Sequence, residues 1–388
     1  MRTRVRCAAV AGLLLALAFA APAAQSAAPY QINVLLPLTG SGAFLGKDEQ
    51  TSLTFVESTV NRAGGVRGRS IHFLIQDDQS SPQLAVQLAS ALIDRGVPFF
   101  MGPSLAAQCN AIAPLTVRGT LEYCLSPTSH PADGSMVFAA GSAGTAYLLA
   151  ATRYMRERGW HKLAVLATND ASGQDAEQGL DAAIALPENK GIFTVVDREH
   201  FNPTDIGVSA QLSRIKASGA QVALLYASGT PFSTVMLGTN QVGLDLPILT
   251  TSSNLNYAQL DTYRATMTPK LYMIVPPWAA ATQLKARVAQ RYLQVFDGIH
   301  VRPGVGNALP WDSSQQLLDG LRLLGLDATG PQLRAYLADL HGWTGINGTY
   351  DFRRYPQRGI GVDSLYLVHW DPKQSQFNLV SKGGGAPL

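Results

Sequence analysis

From Gln31 onward, short runs of aliphatic and β-branched residues alternate with longer stretches whose apolar positions recur at helical spacing. Ile32 to Leu36 reads as a buried strand, and Lys47 to Ala63 carries Leu53, Val56 and Val60 on one helix face before Gly64-Gly65 ends it. Ile71 to Ile75 is the second strand; Pro82 suits the first turn of the next helix, which ends near Gly96. Phe99 to Met101 and Leu121 to Leu125 continue the series, with a helix through Ala111 and Leu115 between them. A second series follows Ala140. It reads as helix Tyr147–Arg158, strand Leu163–Ala167, helix Gln174–Leu186, strand Thr194–Val196, helix Ile206–Lys216 and strand Val222–Tyr226.

Strands that alternate with helices predict parallel sheets covered on both faces. The expectation is an α/β protein of two doubly wound parallel-sheet lobes joined by a multi-segment hinge. Leu271 to Val275, the helix through Val288 and Tyr292, and the helix Ser314–Leu324 do not simply extend either series, so a return to the first lobe is expected near Pro276-Pro277. This places the first lobe at 28–141 and 277–350, and the second at 142–276 and 351–388, with a ligand cleft between them. In open parallel sheets ligands gather outside the carboxyl ends of strands. The loops to inspect are therefore Pro37–Gly46, Gly102–Gln108, Ser126–His130, Thr168–Gly173, Ala227–Pro231 and Thr250–Asn254.

The amino terminus adds a compartment. Arg2, Arg4 and Arg6 precede an apolar run from Ala8 to Ala20 and then small residues, the pattern of a secretory signal peptide over residues 1–27. Cleavage after Ala20, Ala23 or Ala27 fits equally. Cys7 lies before the apolar run, so no lipid anchor is expected. Loss of the leader takes the formal charge from +3 to about zero, and nothing suggests a nucleic-acid partner. Cys109 and Cys124 remain. In an oxidising compartment a pair is more often a disulfide than two buried thiols, and both fall at the carboxyl edge of neighbouring strands, so a bond is expected. About 360 remaining residues predict two domains.

Four stretches resemble the leucine/isoleucine/valine-type periplasmic binding proteins of ABC transporters. They are Leu36-Pro37-Leu38-Thr39-Gly40 with Gly46; Asn61 to Arg69, leading through a strand to Asp77-Asp78 and Ser81-Pro82; Gly102-Pro103-Ser104 with Ser126-Pro127-Thr128; and Gly173 opening a helix. The resemblance implies a type I two-lobed fold, a small-molecule ligand, an inner-membrane ABC permease as partner, a periplasmic monomer, no cofactor and no catalysis. Backbone N–H groups at helix starts and the hydroxyls of Ser104, Thr128 and Ser129 suit a carboxylate. Amino-acid binders of this type keep a serine, several aromatics and an acid for the ammonium at places that here hold Ala106 with Ala107, Leu45 with Phe44, Ser172, Ser228 and Ser252. The ammonium anchor is missing. Asp170 is read either as its substitute in the second lobe or as a turn or cap residue, His130 as a neighbour of the expected carboxylate or a surface imidazole, and Trp278, at a lobe crossing, as a site residue or a packing aromatic. The pattern favours a carboxylate lacking an α-amino group, an aromatic acid first; a branched-chain or other amino acid, or an amide, held through Asp170 is the alternative.

Other classes fit less well. Gly40-x-Gly42-x-x-x-Gly46 with Asp77 has the wrong spacing for a dinucleotide fingerprint. Ala140-Gly141-Ser142-Ala143-Gly144 resembles a nucleophile elbow, yet no histidine is singled out as its base, and Ser142 is read as a helix cap. The seven histidines show no metal-ligand spacing. A binding protein that signals to a membrane receptor shares every feature above.

Overall fold

The computed structural model describes residues 27–388; all but the last residue of the expected leader, Cys7 included, lies outside them. The first sheet is wholly parallel, in the order β2-β1-β3-β4-β5. Its elements run β1 (Tyr30–Leu36), α1 (Ala43–Arg62), β2 (Ile71–Asp77), α2 (Pro82–Asp94), β3 (Phe99–Met101), α3 (Ala106–Ile112), β4 (Leu121–Cys124) and β5 (Val137–Ala139). Ser81 caps α2 by accepting from the Leu84 N–H at 3.3 Å, with Pro82 at the first turn as the sequence predicts. Ile32, Val34 and Leu36 feed one face of this sheet and Leu35 the other, so β1 is buried on both sides.

The second lobe contains α4 (Gly144–Glu157), β6 (Lys162–Thr168), α5 (Ala171–Ala185), β7 (Thr194–Phe201), α6 (Ser209–Ala217), β8 (Val222–Tyr226), α7 (Thr230–Val242), β9 (Ile248–Thr251), α8 (Tyr257–Tyr263) and β10 (Leu271–Val275). It continues through α9 (Arg287–Asp297). The chain then adds α10 (Val305–Leu324), α11 (Gly330–Asp339) and a hairpin of β11 (His341–Thr344) and β12 (Thr349–Asp351) to the first lobe, and ends with β13 (Tyr366–Asp371) and β14 (Gln376–Leu379). The second sheet reads β14-β13-β10-β9-β8-β6-β7. β10 extends the parallel series beside β9, whereas β13 and β14 pair antiparallel at one edge. No helix among the described residues is long and apolar enough to cross a membrane.

The cores change hands later than the sequence suggests. Trp278, Ala289, Tyr292 and Phe296 pack in the second-lobe core, and first-lobe packing resumes at Val305, Leu309 and Leu317. Phe352 and Ile360 still belong to the first core, while Leu365 and Leu367 lie in the second. Pro276-Pro277 therefore turns the chain into a short 3-10 segment over the second sheet, and the crossings fall near residues 141, 304 and 361. Helix α10 also begins well before Ser314, because its first turn is clamped to α1. The Asn307 side chain accepts from the Gly304 N–H and donates to the Asp48 carbonyl at 2.8 Å, and the Ser52 hydroxyl donates to the Asn307 carbonyl at 2.6 Å. That anchorage tolerates Pro310, which removes one internal hydrogen bond.

Cys109 and Cys124 are bonded, with Cα atoms 5.9 Å apart, in a small buried cluster with Val137. The bridge closes a loop of 15 residues, for which chain entropy gives about 3 kcal/mol. A Cys109→Ser/Cys124→Ser protein is expected to lose roughly that much stability in urea melts. Alkylation of the unreduced, unfolded protein should label neither Cys109 nor Cys124.

Candidate functional site

The first-lobe loops are laced to one another before they meet the second lobe. Asp77, at the end of β2, accepts from the Leu38 N–H at 2.9 Å, the Thr39 N–H at 3.2 Å and the Thr39 hydroxyl at 2.7 Å. Burial opposes its charge, but those bonds and one from the Gln79 N–H outweigh it and hold the carboxyl below its ordinary range. The residue that a dinucleotide site would turn to a ribose thus ties down the β1 loop. The Ser80 hydroxyl adds a second tie, accepting from the Gly42 N–H and donating to the Thr39 carbonyl. A methyl group at Gly46 would sit 2.4 Å from the Pro37 carbonyl oxygen, so only glycine lets α1 start this close to the strand end.

This frame sets out the expected first-lobe residues. Phe44 crosses the cleft: a methyl built on Gly229, after β8, would meet its ring at 3.0 Å. Leu45 turns inward against the first core. Ser104 is buried and hydrogen-bonded at 2.5 Å to the buried Glu49 carboxyl of α1. Ala106 is buried and Ala107 exposed at the start of α3. Thr128 pairs its hydroxyl with that of Ser126 at 3.1 Å, and Ser129 donates to the Asn110 side-chain oxygen at 3.3 Å.

The second-lobe residues have varied surroundings. Asp170 caps α5, one carboxylate oxygen accepting from the Ser172 and Gly173 N–H groups and from the Thr168 hydroxyl. Ser172 is exposed and Ser228 half-buried. Ser252, after β9, is buried with its hydroxyl 3.1 Å from that of Tyr147 on α4. Trp278 packs edge-on against Tyr292 inside the second core, with ring centroids 6.3 Å apart. Ser142 does not cap α4: Ala143 occupies the cap position without a side-chain bond, because the helix begins one residue further on.

Where the lobes meet, the structure gathers charges of which the sequence singled out only His130. The His130 Nε2 is hydrogen-bonded to the Asp175 carboxylate, joining the loop after β4 to helix α5. A methyl at Gly144 would fall 2.2 Å from the other Asp175 oxygen, so glycine at the start of α4 makes room for that carboxylate. Arg358, in the last crossing segment, is buried; its guanidinium donates to the carbonyls of Ser129 and Gly141. A further interlobe bond runs from the Asn256 side chain to Asp48 at 3.5 Å, and α3 meets α5 directly. The two lobes are closed on each other.

Residues 29–376 match the family described as periplasmic binding protein. The chain belongs to that family. Leu/Ile/Val-binding protein homolog 3 of Brucella melitensis is 27% identical over 220 residues, 54% of this chain and 58% of that protein. The leucine-, isoleucine-, valine-, threonine- and alanine-binding protein of Pseudomonas aeruginosa is 25% identical over 240 residues, 60% of this chain and 63% of that one. The matched stretches thus span under two thirds of either relative. Three solved structures share the fold at 17–19% identity. They are a type 1 periplasmic binding protein from Bordetella pertussis (TM-score 0.78, 93% of this chain and 100% of that one), an R. palustris solute-binding protein with benzoate (0.75, 93% and 97%) and a Streptococcus pneumoniae branched-chain amino acid transporter protein with isoleucine (0.75, 91% and 100%).

In this periplasmic binding protein the loops after β1 and β8 meet through Phe44 and Gly229, and the loop after β4 reaches α5 through His130. Asp175 could have been found from sequence, since it interrupts the buried face of α5 formed by Gly173, Ala176, Gly179, Leu180 and Ala183. Arg358 could not, lying in an irregular segment with no periodicity.

Glu49 is the third unusual charge. Burial above all, with smaller contributions from Asp78 and Asp48, pushes its carboxyl up to about 8 against the bond from Ser104. The folded protein therefore holds a proton that the unfolded chain releases near pH 4.3. This contribution to stability is full below about pH 4.3 and is lost as pH rises toward about 8, by at most roughly 1.4 kcal/mol per pH unit. Glu49→Gln should flatten the fall in stability between pH 5 and 8 and melt later than the parent at pH 8. An unchanged slope in denaturant melts would mean that Glu49 is ionised in the fold.

Proposed function

We propose that this periplasmic binding protein is the substrate-binding component of an ABC importer whose ligand is a small carboxylate without an α-amino group, an aromatic acid first. One observation carries the reading. Where amino-acid binders of this type keep an acid, the chain presents Ser252, buried and hydrogen-bonded to Tyr147. Neither hydroxyl offsets a buried ammonium, whose desolvation costs several kcal/mol. The Phe44 ring supplies an apolar wall at the Gly229 seam, and the first-lobe loops carrying Ser104, Thr128, Ser129 and His130 supply the carboxylate side. The benzoate complex of the R. palustris protein is in keeping with such a ligand on this fold. Ligand docks on one lobe, contacts from the other favour the closed state, and the closed monomer presents itself to an inner-membrane permease. No bond is made or broken.

A second reading keeps the fold and takes an amino acid, the ligand class named for both curated relatives. Asp170 is occupied as a helix cap, so Asp175 is the acid on which this reading depends.

A thermal-shift panel separates the two. Ligand at about 100 times its dissociation constant adds about 2.7 kcal/mol and moves the melting point by a few degrees. Benzoate-like and cinnamate-like acids are expected to shift it, and leucine is not; the reverse result assigns the protein to amino acids. Small-angle scattering should show a smaller radius with the acid than without it.

A further inference from the structure

Several buried polar groups near the lobe junction have hydrogen-bonding capacity left over. Ser142 and Tyr226 are 2% and 7% exposed, and their buried hydroxyls make no hydrogen bond within the protein. Arg358 is 7% exposed and has two carbonyl acceptors for five N–H donors. Among the described residues no carboxylate stands within ion-pair distance of its guanidinium. Asp175, the acid whose field reaches it, is paired with His130. A cation this buried and this sparsely compensated is costly unless something anionic completes it.

Its position says what that is. Ser142 follows Gly141, whose carbonyl Arg358 holds, and Tyr226 lies within the field of Asp175. Tyr147, which holds Ser252, lies within the field of Arg358 itself. The guanidinium also grips the backbone of Ser129, in the loop that carries Thr128 and His130. A positive charge thus stands beside the place where an amino-acid ligand would bring its ammonium. It repels an ammonium and offers a carboxylate a planar fork.

We propose that Arg358 is the counter-charge of the ligand carboxylate, reaching it from the hinge, with the Tyr226 and Ser142 hydroxyls available to a second polar group on the ligand. The inference rests on the carboxylate reading above and adds the residue that enforces it. Because Arg358 sits on a crossing segment and touches both Ser129 and Gly141, the same contact couples carboxylate binding to hinge position.

Titration calorimetry of the mature protein with benzoate, cinnamate and leucine at pH 7, on the parent, Arg358→Lys and Arg358→Gln, tests it. Arg358→Gln should weaken the bound acid at least 30-fold, Arg358→Lys less, and the ratio of acid to leucine affinity should fall at least tenfold in Arg358→Gln. If the parent binds an acid and Arg358→Gln binds it within threefold, the carboxylate reading stands and this inference alone is overturned. If the parent binds leucine or none of the acids, the carboxylate reading fails and the inference falls with it. Should Arg358→Gln not fold, a crystal structure of the parent with the acid decides. A carboxylate oxygen within about 3.2 Å of a guanidinium nitrogen supports the assignment, and one beyond about 5 Å overturns it.

Discussion

When two lobes close and water leaves the seam, any charge caught there must find a partner, lose its charge or stay costly. The junction of this protein shows the first and the last of these outcomes. Asp175 finds His130 across the cleft, and Arg358 makes do with two carbonyl oxygens; inside the first lobe, Glu49 meets the same constraint by keeping its proton behind Ser104. Much of the local architecture follows from accommodating these groups. Gly144 has no side chain because a carboxylate occupies that space, and the irregular last crossing segment is what delivers a guanidinium to the seam.

The strand framework was legible because buried parallel strands leave unbroken apolar runs. Leu163–Ala167 and Val222–Tyr226 could hardly be anything else, and both are strands of the second sheet. What eluded the pattern was decided by contacts far along the chain. Helix α10 extends back to Val305 because Asn307 and Ser52 clamp it to α1, a bond made across 255 residues. The antiparallel β13 and β14 find their places only once β10 offers an edge. Paired prolines at 276–277 looked like a lobe crossing, whereas the chain there folds over the second sheet and buries Trp278.

The site was legible to the level of loops and less so to the level of atoms. Strand order directs attention to the loops that carry Phe44, Ser104, Ser129, His130 and Ser252. Which atoms remain for a ligand depends on neighbours that no local pattern reveals: Asp170 is drawn into its own helix cap, Ser104 faces a buried acid, and His130 has a partner in the other lobe.

The contact between Phe44 and Gly229 also has a mechanical side. Gly229 has φ +68°, and a methyl there would already press on the ring at 3.0 Å. A side chain added at 229 would both strain this turn and press on the Phe44 ring, so that, if the lobes move as a hinge, it would act as a doorstop. Apparent affinity would then scale with the fraction of molecules still able to shut. The seam is accordingly where a dye fixed beside Phe44 would report any gap between the lobes directly.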